Sequence, residues 1–171
     1  MIRPRRHPAH RVVVASAAAL LALPAAPARA DAPVSGTDLD CAITVTVDAH
    51  PGVTPQLRHV AVTSHGLTGT ADCTGTLDEA TVTGPGSFAV TIQEVANCTQ
   101  LAGQGTFVLC IPTSGGTATV AGTFDTSGSS AGAIVVGDLT GTAHVIAVLE
   151  GDCVTTPLTR VTTQVDAHVG P

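Results

Sequence analysis

Aromatic and basic side chains are scarce in this sequence of 171 residues, and both shortages exclude kinds of partner. The chain has three phenylalanines, neither tryptophan nor tyrosine, and seven basic residues, all of them arginines. Only Arg58 and Arg160 follow residue 30, where thirteen carboxylates give a formal charge of −11. Nucleic-acid binding needs basic groups for the phosphates and commonly aromatic rings for unpaired bases. We therefore exclude a nucleic-acid partner and expect an acidic protein.

A long apolar run is also lacking. The longest run covers residues 12–23, which is too short for the roughly 20 residues of a membrane-spanning helix, so we expect no membrane span. Three arginines within the first six residues precede this run, and the small-x-small sequence Ala28-Arg29-Ala30 follows it. That order is typical of a secretory signal peptide. The sequence therefore predicts a signal peptide over residues 1–30 and a secreted, extracellular protein.

Apolar residues with helical spacing are missing after residue 30, whereas alternation with a period of two recurs. The alternation is clearest in residues 41–47, where Cys41, Ile43, Val45 and Val47 share one face. Glycine and proline clusters divide the chain between such segments. These patterns predict ten strands, near residues 41–48, 57–64, 68–74, 78–83, 87–97, 106–111, 117–124, 132–136, 141–149 and 158–168.

Many short strands joined by regularly spaced turns are typical of antiparallel sheets. We predict an all-β fold, namely an antiparallel β-sandwich of immunoglobulin-like or related type that disulfides stabilise, in preference to a closed sheet. The domain organisation that we expect is a flexible leader over residues 31–40 and a single β-sandwich domain over residues 41–169.

Five cysteines follow the predicted cleavage site, and thiols in an oxidising compartment pair. Because five is an odd number, one thiol is left free or joins another chain. A two-residue turn at Pro85-Gly86 would place Cys73 opposite Cys98, and a three-residue loop over residues 103–105 would place Cys98 opposite Cys110. The spacing predicts that these three cysteines form a row across adjacent strands, with one bridge inside the row.

Three blocks within residues 60–169 carry a family resemblance: the segment from Cys73 to Cys98 with its Gly84-Pro85-Gly86, then Gly103-Gln104-Gly105-Thr106, then residues 156–169. In these blocks the chain resembles a loose group of small secreted Gly/Thr-rich all-β proteins of actinobacteria, whose function is unassigned. The resemblance implies a bacterial source and no particular site. It also favours a bridge between Cys73 and Cys98, which leaves Cys110 to pair with Cys41 or Cys153 or to remain the odd thiol.

Two Asp-Ala-His segments are the strongest metal candidates. Asp48 and His50 share one face of a predicted strand, and so do Asp166 and His168 near the end of the chain. If the first and last strands were neighbours, these four side chains could converge on an ion such as zinc. No spacing motif of a known metal site is matched, however, so we interpret them as solvated strand ends and expect no metal and no cofactor.

Catalytic patterns are absent as well. Ser64 and His65 are adjacent, so on a strand they face opposite sides and cannot act as nucleophile and base. No Gly-x-Ser-x-Gly elbow occurs. We therefore predict no catalytic residues and a protein that is not an enzyme.

The function class that the sequence favours is a non-enzymatic extracellular interaction or envelope-associated domain, with an unknown partner. The alternative is a carrier or sequestering protein for a small apolar ligand, and a secreted hydrolase ranks third. Buried volume separates the first two classes. A carrier should hold a deep apolar pocket, whereas an interaction domain should have a filled core and an exposed apolar patch.

We expect the exported protein to begin at Asp31, because Ala28-Arg29-Ala30 fits the signal-peptide cleavage site. Intact-mass spectrometry of protein from the culture medium measures this directly. Exported protein that keeps residues 1–30 would contradict the prediction.

Overall fold

The computed structural model describes residues 36–129 and 131–170, so the predicted signal peptide lies outside the described residues. Within them the regular structure is entirely β-strand. The ten strands are β1 (Thr37–Val53), β2 (Arg58–Ser64), β3 (Gly69–Leu77), β4 (Ala80–Thr81), β5 (Gly86–Ala96), β6 (Leu101–Thr113), β7 (Gly116–Ser129), β8 (Gly132–Gly137), β9 (Leu139–Glu150) and β10 (Leu158–Val169). No helix in this part of the chain is long and apolar enough to cross a membrane.

Alternation of apolar and polar residues accounts for the strands, as β1 shows. Every second residue from Leu39 to Val45 is buried, while the residues between them are exposed. Side chains on a strand point to opposite faces in turn, so this pattern places one face of β1 in the core. β1 begins at Thr37, which is buried, so residues 37–40 of the expected leader are part of the sheet.

The sheet closes on itself through β1. Along one edge β1 pairs with β10 from Leu39 opposite Val169 to Asp48 opposite Arg160. Along its other edge β1 pairs first with β3 and then with β2, and both of these pair with β5. The ladder continues through β6, β7, β8 and β9 back to β10, and every pairing is antiparallel. The all-β antiparallel class is confirmed, and the two-layer sandwich stays a prediction.

The inward faces of the strands form one hydrophobic core. All three phenylalanines belong to it: Phe88 stacks on Phe107 at 6.1 Å between ring centroids, and Phe107 lies 6.3 Å from Phe124. Leu39 and Leu109 are fully buried in the same cluster. The few aromatic rings of this chain are therefore gathered into a single stack inside the sheet.

Two tight turns set a strand register that differs from the predicted one. Asp78 and Glu79 have positive φ and join β3 to β4, so the chain reverses there before it reaches Pro85-Gly86. Asn97 Oδ1 accepts hydrogen bonds from the backbone N–H groups of Thr99 and Gln100, which closes the β5–β6 loop six residues before Gly103. An Asn side chain that binds the following backbone is a strong turn former. These turns place Cys110 opposite Ser87 and not opposite Cys98.

The disulfides follow from this register. Cys41 lies directly opposite Cys73 on β1 and β3 and is bonded to it, and Cys98 is bonded to Cys153. The predicted row of Cys73, Cys98 and Cys110 is not formed. The predicted bridge between Cys73 and Cys98 is wrong, because each of these two cysteines is bonded to another partner. Cys110 is the free thiol among the described cysteines.

We expect one titratable thiol per chain in denatured, unreduced protein, and it should map to Cys110.

A double Cys98→Ser/Cys153→Ser variant should lose roughly 3–4 kcal/mol of unfolding free energy, because that bridge closes a long loop of the unfolded chain. Cys110→Ser is the matched control and should change stability by less than about 1 kcal/mol. Urea unfolding measures both. Equal stability losses in the two variants would contradict the pairing.

Candidate functional site: an apolar cavity inside the sheet

A cavity of about 140 Å³ lies inside the closed sheet. Strands β1, β2 and β5 to β10 all contribute side chains to its wall. Most of these side chains are apolar and many are small, including Ala49, Ala96, Ala133 and Ala143. The cavity therefore exists because alanine and valine stand where larger residues would fill the core.

The cavity occupies one half of the interior. The other half, near Leu39, Ile111 and Val169, is filled with fully buried side chains. Phe88 and Phe124 line the cavity at the boundary between the halves. The ring of Phe124 covers Gly105, where an added Cβ would lie 2.4 Å from the ring, so Gly105 is required for this ring position.

Two buried polar side chains, Glu94 and Thr126, interrupt the apolar wall. Glu94 on β5 lies opposite Gly103 on β6, and Gly103 lies opposite Thr126 on β7. A Cβ added at Gly103 would come within 2.5 Å of the Glu94 Cβ. Gly103 therefore lets the backbone of β5 approach closely beside Glu94, whose carboxyl lies on the same side of the sheet as the Thr126 hydroxyl.

Neither polar group has a partner among the residues that the structure describes. The hydroxyl of Thr126 is buried without a hydrogen bond. Within residues 36–129 and 131–170, no hydrogen bond or ion pair involves the Glu94 side chain. Burial raises the pKa of Glu94, because the low-polarity surroundings disfavour the charged carboxylate.

Four half-buried members of the cavity wall, Ser129, Gly132, Thr159 and Arg160, lie towards one end of the cavity. The Cys98–Cys153 bridge joins two loops at this end, the β5–β6 loop and the β9–β10 loop. The backbone N–H of Cys98 also donates to the carbonyl oxygen of Thr54 in the β1–β2 loop. The disulfide and this hydrogen bond thus link three loops around the end of the cavity.

A charged cluster holds Arg160 at this end. Arg160 Nε lies 2.7 Å from Asp48 Oδ1, and its Nη1 lies 3.4 Å from Glu150 Oε1. His65 Nε2 also contacts Asp48. The hydrogen bond from Arg160 is the main cause that lowers the pKa of Asp48. The guanidinium is therefore paired with carboxylates.

The structure separates the two Asp-Ala-His segments. The first and last strands are neighbours, but they are antiparallel, so Asp48 lies opposite Arg160 while His168 lies opposite Asp40 at the other end of the ladder. Asp166 contacts Gln164. In the described part of the chain, no three His, Cys, Asp or Glu side chains form a group that could hold a metal ion.

Ser64 and His65 have separate partners, as the sequence predicts. Ser64 Oγ accepts a hydrogen bond from the backbone N–H of Val90, whereas His65 contacts Asp48 and Arg160. The hydroxyl and the imidazole therefore do not act on each other.

Sequence reasoning missed Glu94, although a signal was present. In residues 88–96 the alternating positions read Phe88, Val90, Ile92, Glu94 and Ala96, so one carboxylate stands on an otherwise apolar face. A charged residue at an inward position of a strand marks either a paired charge or a functional site.

Comparison with known proteins adds no family, since no protein-family model, no curated protein and no solved structure matches this chain.

We expect Glu94→Gln to stabilise the protein at neutral pH and to flatten its loss of stability with rising pH. The folded state keeps the Glu94 proton above the ordinary pKa of 4.5, where the unfolded state has lost it. This group therefore favours folding most at low pH, and stability falls as the pH rises through the raised pKa. Urea unfolding between pH 4 and 8 measures the difference.

The matched control is Asp125→Asn, which removes one charge from an exposed position next to Thr126. Its stability should follow the wild-type pH dependence. Parallel curves for Glu94→Gln and the wild type would show that Glu94 does not titrate abnormally.

Proposed function

We propose that this chain is a secreted carrier or sequestering protein that binds one small apolar molecule inside its sheet. The observation that carries the proposal is the apolar cavity, whose wall draws on eight of the ten strands. Secretion is supported by the signal-peptide pattern before Asp31 and by two disulfides, which persist in oxidising compartments.

The cavity volume limits the size of the ligand. A dry apolar cavity of about 150 Å³ admits benzene or a xenon atom, and this cavity of about 140 Å³ is close to that size. Sites for drug-sized molecules are larger, at roughly 300–1,000 Å³. The ligand should therefore have about six to eight non-hydrogen atoms. Binding then contributes at most about 1.5 kcal/mol per atom.

The free-energy cost of an empty cavity supports a ligand role for this space. At about 24 cal/mol per Å³, an empty cavity of this volume costs roughly 3 kcal/mol. Whole domains are stable by only about 5–15 kcal/mol, so this cost is a large share. Larger side chains at positions such as Ala96 or Ala143 would remove it. A bound apolar molecule offsets it by restoring the missing dispersion contacts.

An interaction surface is the second candidate, because β8 and β9 expose large apolar side chains. Ile134, Val136, Ile146, Val148 and Leu149 are each more than half exposed. Apolar residues on a sheet face are typical of surfaces that contact a partner. We rank this function second, since the two residues of β8 and the three of β9 are separated along the ladder.

We expect Ala96→Leu to abolish binding of benzene while it keeps or raises stability, because the larger side chain fills the cavity. Benzene at 100 times its Kd should stabilise the wild type by about 2.7 kcal/mol and should not stabilise the variant. Thermal unfolding with and without benzene, together with the inward methyl signals in NMR spectra, measures both.

Ala71→Leu is the matched control, because Ala71 is fully buried and lies outside the cavity wall. The same enlargement should there cost about 1–3 kcal/mol through overpacking. A wild-type protein that saturating benzene neither stabilises nor perturbs would exclude the carrier function.

A further inference from the structure

Six polar side chains line the cavity, and two of them differ from the rest. Glu94 and Thr126 are 8% and 7% exposed, whereas the other four, at the end of the cavity or on β10, are half-buried: Ser129, Thr159, Arg160 and Thr163. Glu94 on β5 and Thr126 on β7 lie on either side of Gly103 on β6, and both line the cavity. The deep wall thus has one polar spot, made of a carboxyl and a hydroxyl.

Neither member of this polar spot has a hydrogen-bond partner within residues 36–129 and 131–170. The Thr126 hydroxyl has no hydrogen-bond partner, and no described side chain pairs with Glu94. A buried polar group without a partner is costly, and native structures show few of them. Two such groups beside one cavity are explained most simply by a ligand that supplies the missing hydrogen bonds.

We propose that the ligand is a small apolar amine, whose amino group binds Glu94 and Thr126 in the cavity wall. The inference rests on the proposed carrier function and names the chemistry of its ligand. The apolar part of the amine occupies the space between Phe88, Phe124 and Val135. The amino group donates one hydrogen bond to the Glu94 carboxylate and one to the Thr126 hydroxyl oxygen, since an ammonium carries three donors.

Charge favours an amine over an anion. Residues 36–170 contain twelve carboxylates and two arginines. Arg160 at the cavity end is paired with Asp48 and Glu150, and Arg58 Nη2 donates to the carbonyl oxygen of Gly52. An acidic surface raises the local concentration of cations and repels anions. The Nε of Arg58 is buried without a partner, but Arg58 does not line the cavity, so neither arginine is available to hold an anionic ligand there.

The bound pair of Glu94 and the amine holds the same number of protons whether it is charged or neutral. A carboxylate with an ammonium and a carboxylic acid with a neutral amine contain the same atoms and one shared proton. An amine can therefore enter whether Glu94 is ionised or protonated in the empty cavity. A charge-assisted hydrogen bond in a low-polarity site is stronger than a neutral one.

Three ligands of equal size test the inference: cyclopentylamine, cyclopentanol and methylcyclopentane, each with six non-hydrogen atoms. Titration calorimetry and NMR should show that wild-type protein binds the amine at least tenfold more tightly than methylcyclopentane, with the alcohol between them. Glu94→Gln should remove the preference for the amine, so that the amine and methylcyclopentane bind within about threefold of each other. Thr126→Val should weaken amine binding several-fold.

Asp125→Asn is the control, because it removes the same charge from the outward face beside Thr126. It should keep the amine preference. Equal binding of amine and methylcyclopentane by wild-type protein would overturn the amine inference while the carrier function stands. An amine preference that survives Glu94→Gln, or that Asp125→Asn also removes, would overturn it too. If none of the three ligands binds, the carrier function itself fails.

Discussion

The position of β1 between β10 and the pair β2 and β3 is the constraint on which the rest of the structure depends. Its ladder with β10 joins the end of the chain to its beginning, from Leu39 opposite Val169 onward. Without that ladder the sheet would have two open edges, which expose unpaired backbone groups. With it the sheet is closed, and every strand turns one face inward.

Closure explains why one end of the interior is filled and the other is hollow. Near the start of β1, the Cys41–Cys73 bridge and the side chains of Leu39 and Ile43 pack densely. Towards its end, β1 presents Val45, Val47 and Ala49, which are smaller. Since closure fixes the distance across the interior, smaller side chains leave a space instead of letting the strands approach each other.

The closed sheet also fixes the position of the polar spot formed by Glu94 and Thr126. A carboxyl on a mobile surface loop would turn to water, but Glu94 is in the middle of a three-strand ladder with β2 and β6. Its side chain faces inward, since successive side chains on a strand point to opposite faces and its two neighbours face outward. The protein therefore retains a buried carboxyl that has no hydrogen-bond partner among the described residues, and burial raises the pKa of this group.

Local patterns made the strands predictable, and long-range pairing made the bridges and the site unpredictable. The alternation in residues 41–47 depends on adjacent residues, so it appears in the sequence. The bridge partners depend on where the chain reverses direction. The turn that Asn97 forms lies several residues before the predicted loop over residues 103–105. Glu94 was visible on an apolar face, but the cavity beside it requires side-chain volumes from eight strands, which no single segment reveals.

A crystal structure of the protein under xenon pressure would show directly whether the interior holds an apolar cavity, because xenon enters dry apolar cavities without needing a polar partner. We expect a xenon atom inside the closed sheet, in contact with Phe88, Phe124 and Val135. An interior in which the strands have closed over this space, with no xenon bound, would contradict it.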